Sequence, residues 1–496
     1  MKKLYIIPVI LLYTGIATAQ NESDVLRFSR TSNLGTARSA AMGGAFSALG
    51  GDLSNLSSNP AGVGVFRKSE VGLTLNANFG NTKSGNRSSN DNSFQMGDLG
   101  GVISFYNPNF DWRGFNFAIN YTNINNFNRN TKQFVYNSPT SFSQALANET
   151  NYIIDNFEKP DEYLGVFSQM AIESNVILAN PETPYYEPVI IGAHQYKNIK
   201  EDGYQGEYSF SFGTNYKDKL YLGMSIGIQS IYYKSNVVYR ENPDKDNPYS
   251  LDYFDYMEKL KTTGVGTNFK FGVIYRPIPE VRLGASIHTP TYYSMTDNYG
   301  VDMYSKYNIP DPEGYYDYIS NPYRYKTDYD LKTPWKAILG AAVVLKQRAI
   351  ISMDYEYVNY TSARLSDGPQ GYDYYEPNGT GTNDNVKNFL KATHNFRVGA
   401  EFRMNSMLSL RGGYSYNASP YKYATDLYKL QTISGGFGLN FGMFYCDAAY
   451  VYKFTKDITQ FYSYVDPDDA AFDVSAIPVK NKFNDHEARI TVGVRF

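Results

Sequence analysis

The sequence has a single cysteine, Cys446, among 496 residues, which excludes an intrachain disulfide and leaves hydrogen bonding and packing to hold the fold. It has only four histidines, His194, His288, His394 and His486, and none falls in an H-E-x-x-H motif or beside a G-x-S-x-G turn. His288 and His394 read as lumen or rim residues of a barrel, and no enzyme is expected. The Gly-rich stretch GGAFSALGG at 43–51 lacks the G-K-[ST] of a phosphate loop, and neither a cofactor nor a metal is implied. A net charge of −3 and a pI near 5.9 give no basic footprint, so no nucleic-acid partner is expected. Past residue 19 no apolar run reaches the roughly 18 residues of a membrane helix, and no repeat of about 40–50 residues marks a propeller.

What is present begins with Lys2 and Lys3, the apolar Leu4–Ile16 and the small residues Ala17-Thr18-Ala19, which together read as a secretory signal peptide over residues 1–19. The mature chain is expected to start near Gln20, with no cysteine there to carry a lipid anchor. Beyond it the dominant signal is alternation. Reading back from the C-terminus, Phe496, Val494, Val492, Ile490 and Ala488 share one face while Arg495, Gly493, Thr491 and Arg489 share the other, as a half-buried strand requires. The segments FRVGAEF (396–402) and VRLGASIH (281–288) repeat the pattern beside turn residues.

Collecting such segments predicts strands near 70–79, 98–107, 113–122, 207–216, 220–232, 265–276, 281–290, 336–346, 349–358, 394–403, 408–417, 432–442, 446–454 and 487–496. Short and long links alternate between them, with long loops at 123–206, 233–264, 291–335 and 359–393. About fourteen strands of ten residues, tight turns on one rim and long loops on the other, predict an all-β fold: a transmembrane antiparallel β-barrel of the bacterial outer membrane, with its turns on the periplasmic side. Charged residues on the polar faces would cost about 2–4 kcal/mol each if basic ones met lipid at mid-membrane, so those faces line the lumen. The terminal Phe496 fits the signal read by barrel-insertion machinery. The long loops, such as DPEGYYDYISNPYRYKTDYD at 311–330, read as a solvated aromatic rim, although stacking on sugars is a second use of such rings.

Residues 20–68 stay outside this alternation. From Thr36 to Leu49 the spacing of Ala37, Ala40, Ala41, Gly44 and Ala48 predicts a small-faced helix. Gly50 and Gly51 end it, and Asn59-Pro60-Ala61-Gly62 makes a turn. A compact segment ahead of a barrel, built from residues that permit close approach, predicts a plug in the lumen. The domain reading is therefore a signal peptide (1–19), an N-terminal plug or hatch (20–68) and the barrel (69–496).

The run GTARSAAMGGAFSALGGDLSNLSSNPAG (35–62), the hairpin FGVIYRPIPEVRLGASIHTPTYY (271–293) and the terminal RITVGVRF resemble the outer-membrane hydrophobic-compound channels of the FadL, OmpP1 and TodX type, over nearly the whole mature chain. The resemblance implies a fourteen-stranded barrel with an N-terminal hatch. It also implies passive uptake of long-chain fatty acids or aromatic hydrocarbons, with lateral release of the ligand through the barrel wall into outer-membrane lipid. Carried onto this chain, it makes Asn59, Pro60, Ala61 and Gly62 the hatch motif and Met42, Phe46 and Leu49 candidate ligand-pocket residues. For those three, ordinary plug packing is an equal reading. The third strand, near 113–122, becomes the expected place of the wall opening. One departure is that the loops are longer and richer in Tyr and Asp than a lipid-catching surface needs. The alternative reading is a FadL-like barrel acting as a secretion or surface-attachment factor, with a secretion-system protein as its partner.

Overall fold

The computed structural model describes residues 21–31, 35–244, 248–346, 348–367, 372–373 and 381–496; the expected signal peptide lies outside them. Fourteen antiparallel strands form a closed barrel. They are β1 (Glu70–Ser84), β2 (Arg87–Tyr106), β3 (Trp112–Asn126), β4 (Ala193–Tyr216), β5 (Leu220–Pro243), β6 (Leu251–Ile278), β7 (Val281–His288), β8 (Lys336–Leu345), β9 (Ala349–Asn359), β10 (Ala392–Arg403), β11 (Leu408–Asn417), β12 (Leu430–Phe441), β13 (Phe444–Thr459) and β14 (Val479–Arg495). Closure comes from β1 against β14, in register from Glu70↔Arg495 to Ser84↔Asn481. Alternation sets the two faces: on β14 Ile490 and Val492 are exposed outward, while Arg489 and Thr491 are buried inward. Phe496 closes the short-turn rim, exchanging backbone hydrogen bonds with Ser69 at 3.0 and 3.1 Å.

All fourteen predicted strands are present, but several run much further than their apolar alternation. β4 and β5 have 24 residues and β6 has 28, against the roughly 9–11 that cross a bilayer. Much of what reads as loop in the sequence is therefore sheet. Above membrane height no lipid demands an apolar outer face, so stretches such as Lys197–Gly203 stay in strand while losing the alternation. A segment at Arg129–Ser138 continues past the end of β3 and pairs with β4. The strands Tyr292–Tyr307 and Tyr323–Lys332 extend the sheet beside upper β6.

The N-terminal segment fills the lumen. Helix α1 (Glu22–Ser29) carries a capping box from Asn21 and Asp24 and buries Val25, Leu26 and Phe28 among inward tyrosines of the wall. Helix α2 covers only Ala37–Ala41, capped by Thr36, which corrects the helix expected over 36–49. Gly43 and Gly44 take positive φ (62° and 76°), a turn that ends the helix. The chain then folds back through single turns to Pro60–Val65.

Glycines line much of the wall where this segment comes closest. Gly213, Gly223 and Gly272 stand in cross-strand register on β4, β5 and β6, as do Gly284 with Gly340 and Gly399 with Gly413. A Cβ on any of these would fall under 3.0 Å from the plug: from Gly64 at Gly213, Pro60 at Gly223, Asn59 at Gly272, Ser47 at Gly284 and Gly340, Met42 at Gly399 and Gly43 at Gly413. Plug backbone meets the wall at five of these glycines, and the Asn59 and Ser47 side chains meet it at Gly272 and Gly340, approaches that only glycine permits. Gly223→Val should therefore expel the plug at a cost of about 1–3 kcal/mol, seen as faster proteolysis of residues 36–66 with the barrel's heat-modifiable mobility unchanged. Gly435→Val, whose Cβ would meet nothing nearer than 3.7 Å, should leave the plug protected.

Candidate functional site

Polar anchors fasten the plug to the wall. Arg38 Nε donates to Glu401 (2.9 Å), which also accepts from Arg411 (2.8 Å), and Arg411 reaches Asp447 (2.5 Å). Ser47 gives its backbone N–H and hydroxyl to Asp354 (3.0 and 2.6 Å). Asn116 donates to the carbonyls of Val63 and Phe66 (2.7 and 2.8 Å), and Arg489 to that of Gly35 (3.0 Å). Asn59 is fully buried: its Nδ2 donates to the Ser47 carbonyl (2.7 Å), and its Oδ1 accepts from Ala61 N–H (3.1 Å), which sets the turn at Pro60-Ala61-Gly62. These groups are desolvated and paired, so breaking one leaves its partner buried and unsatisfied.

Two cavities border the plug, one beside α1 and one between residues 28–31 and 54–58. The larger, about 290 Å³, is lined by Arg27, Arg30, Arg129 and Lys336, by Glu201, Glu356 and Asp457, and by Tyr360, Tyr421 and Tyr428. Glu356 is already held by Arg397 (2.8 Å) and Arg27 by Asp24. Among the described residues neither Arg30 nor Arg129 has a hydrogen-bonded carboxylate. Arg129 lies 4.1 Å over the Phe483 ring, and Lys336 donates to Thr31 (3.0 Å). The smaller cavity, about 90 Å³, rests on Ser54, Ser57 and Ser58 of the plug beside the Lys270–Glu207 ion pair. His288 borders it and is bonded to the Ser58 carbonyl (2.7 Å). Thr31, Lys336 and Glu356 line both cavities.

Both cavities also touch the end of β3, through Thr122 and Ile124 in one and Asn125 and Asn126 in the other. There the wall changes. β2 and β3 pair without interruption from Tyr106↔Gly114 to Asp98↔Thr122 and no further. Beyond that point β3 stays on β4 with irregular register at Asn123–Asn125, while β2 stays on β1. Across the seam the strands are joined by side chains: Asn123 Nδ2 to Gln95 Oε1 (2.9 Å), Gln95 Nε2 to Asn126 Oδ1 (3.0 Å) and Asn126 Nδ2 to Ser93 Oγ (3.2 Å). The stretch expected to open, 113–122, is thus fully paired, and the interruption begins where it ends.

At the long-loop rim helices α3 (Phe142–Asn156) and α4 (Val166–Glu173) pack with upper β5, upper β6 and residues 461–479 around Leu146, Met170, Tyr239, Phe254 and Tyr462. This is a folded cap with its own core rather than a solvated rim. Glu241 anchors it, accepting from Ser141 Oγ (2.5 Å), Phe142 N–H (3.0 Å) and Gln195 (2.9 Å) at the start of α3, and burial pushes its carboxyl up to about 6. Glu149 joins the two helices through Ser168 Oγ (2.7 Å), and burial pushes it up to about 7.

Met42, Phe46 and Leu49 lie elsewhere. All three are buried in a cluster with Ala48, Ala342 and Ile350 toward the short-turn rim, and neither cavity touches them. Their contacts are those of plug packing. His394, the other histidine read as a rim residue, is exposed and shares a 2.7 Å hydrogen bond with Tyr355. The residues that line the chambers and seam went unread, because Arg30, Gln95, Arg129 and Lys336 come together only when distant strands close. The wall glycines did leave a signal: they fall on the lumen-facing phase of successive strands.

A closed barrel whose N-terminal segment fills the lumen and borders polar chambers, beside an interrupted strand pair, is a plugged β-barrel. Solved structures share this fold. A Pseudomonas aeruginosa FadL homologue matches over 94% of this chain and 99% of its own with a TM-score of 0.56 at 13% identity. The Pseudomonas putida toluene transporter TodX covers 94% and 99% (TM-score 0.54, 14% identity), and the Ralstonia pickettii toluene transporter TbuX 93% and 98% (0.53, 14%). No protein-family model and no curated protein matches the sequence. The chain thus has the fold of the FadL and TodX type.

Asn59→Ala removes a buried amide that holds two plug segments together. It should destabilise the plug by about 1–3 kcal/mol, read as faster hydrogen exchange over residues 47–66 with the strands unchanged. The cap should respond to pH. A carboxyl raised by burial binds its proton more tightly folded than unfolded, so the associated stability is full below the ordinary carboxylate range and lost as pH rises through about 7. Moving from pH 5 to pH 8 should weaken α3–α4 by about 2–3 kcal/mol, measured as exchange corrected for intrinsic rates, and Glu149→Gln should flatten most of that dependence.

Proposed function

We propose that this protein is an outer-membrane channel for passive uptake of hydrophobic small molecules with a polar head, released sideways into the bilayer. The observation that carries this reading is that both chambers end at the β2–β3 seam. Two exits compete. Passage through the plug breaks buried ion pairs, each costing about 3–5 kcal/mol when one partner is lost, and lifts backbone off the glycine belt. Passage through the seam exchanges a few part-buried amide hydrogen bonds, each contributing about 0.5–1.5 kcal/mol. The seam wins. It also delivers an alkyl chain to lipid without exposure to water, which would cost about 0.8 kcal/mol per CH₂.

The chamber's chemistry supports a carboxylate-bearing amphiphile, such as a long-chain fatty acid, over a plain aromatic hydrocarbon. Arg30, Arg129 and Lys336 offer donors that a hydrocarbon would leave desolvated. The fold neighbours are named as a FadL homologue and toluene transporters, which supports the channel class and a role without catalysis. None of them favours the secretion or attachment alternative. Within this reading Asn59–Gly62 keep the hatch in place, and Phe496 remains the recognition residue for the insertion machinery.

Mass spectrometry of compounds released from the detergent-extracted protein, against an unrelated barrel prepared alongside, tests the proposal. Enrichment of fatty acids is expected, reduced about tenfold or more by Arg30→Gln with Lys336→Gln, on the scale of charge-assisted hydrogen bonds. No enrichment over the control barrel would contradict it.

A further inference from the structure

The outer wall on the β1 side of β2 carries an arrangement that uptake does not explain. Lys83 on β1, Lys482 on β14 and Lys456 on β13 are direct cross-strand partners, Lys83↔Lys482 and Lys482↔Lys456, and all three are exposed. Lys480, also exposed, stands two residues along from Lys482. Neighbouring strands are about 4.8 Å apart, and like charges directly opposite one another are destabilising. None of the three makes an ion pair among the described residues. The acidic side chains of these strands face the other way: Asp457 accepts from Asn481 (2.7 Å) and Glu487 pairs with Lys453 (2.9 Å) inside the lumen.

Their height on the barrel points to what neutralises them. Below the row the same three strands and β2 carry the apolar outer belt: Val71, Leu75 and Phe79, with Phe94 (70% exposed), Tyr450 and Ile490 alongside. The upper edge is aromatic and polar, with Tyr450 OH bonded to His486 (2.6 Å), Tyr452 OH to Asn484 (2.8 Å) and Asn81 to Asn90 (2.7 Å). Lys83 lies four residues past Phe79, about 13 Å along the strand and about 10 Å higher at the usual tilt. That is the level of lipid headgroups.

We propose that β1, β13 and β14 form a binding site for the phosphate-bearing headgroup of an outer-leaflet glycolipid, its acyl chains lying on the Phe79–Phe94–Tyr450 belt and its phosphate on Lys83, Lys456 and Lys482. The occupant follows from the continuity of the row with the lipid-facing belt and from charge complementarity, and the proposal rests on the outer-membrane reading above.

Native mass spectrometry of the purified full chain in detergent tests it, with bisphosphorylated lipid A and the same lipid stripped of phosphate as probes. Each Lys→Gln change at the row should weaken retention of the phosphorylated lipid about fivefold, and the triple variant about a hundredfold, the scale of one lysine near an anionic surface. The stripped lipid should bind the native chain as weakly as the phosphorylated lipid binds the triple variant. A control variant lacking three exposed lysines elsewhere, Lys159, Lys259 on β6 and Lys326 on the Tyr323–Lys332 strand, should retain lipid normally. Equal retention by native chain and triple variant, indifference to phosphate, or an equal loss in the control variant would each overturn the site while leaving the channel reading intact. Recovery of the chain outside the outer-membrane fraction of cells would overturn both.

Discussion

Everything inside this barrel depends on how closely the plug's backbone approaches the wall. A lumen of fourteen strands is wide enough to conduct water, and it is closed here by chain packed against a belt of glycines on β4 to β8, β10 and β11. The fit is reciprocal: small residues on the plug, Ala41, Gly43 and Gly64, face wall glycines at Gly436, Gly413 and Gly213. Side-chain contact would leave rotamers to move and gaps to wet. Backbone contact fixes the plug at one height, and the polar anchors fix its rotation. Arg38 with Glu401, Ser47 with Asp354 and Asn116 with the carbonyls ending the plug's last turn act at separate points around the wall.

From that rigidity follows the asymmetry that makes a lateral path reasonable. The pairing of β2 with β3 ends at Asp98 and Thr122, and both chambers touch β3 at that height. The weakest part of the enclosure is therefore in its side and not in its floor. The folded cap closes the other end. Its helices are held by Glu149 and Glu241, carboxyls that burial pushes up to about 7 and about 6, so the cap is held by a different chemistry from the plug.

The strands were legible because a bilayer imposes a two-residue period on any chain crossing it, and Ile490–Val494 or Val281–Ile287 could scarcely be read otherwise. Where that constraint ends, so does the legibility: residues 193–206 continue β4 with polar side chains on both faces. The plug was legible from its small residues but its helix was not, because Gly43 and Gly44 act through positive φ where the sequence shows only spacing. Met42, Phe46 and Leu49 have the spacing of either a pocket or a core, and they pack against Ala342 and Ile350, residues far away in the chain. The chambers depend on closure of the barrel, which brings Arg30, Arg129 and Lys336 together from three distant stretches of chain.

The central claim is that a bound amphiphile leaves through the wall while the plug stays seated. Photo-cross-linking from a fatty acid with a photoreactive group at its methyl end, on the full chain in lipid nanodiscs, tests this directly once adducts are mapped by peptide. The account predicts adducts concentrated on 93–97 of β2 and 123–126 of β3. Adducts on the short-turn face of the plug, around Leu53 and Phe66, would show passage through the floor and contradict it.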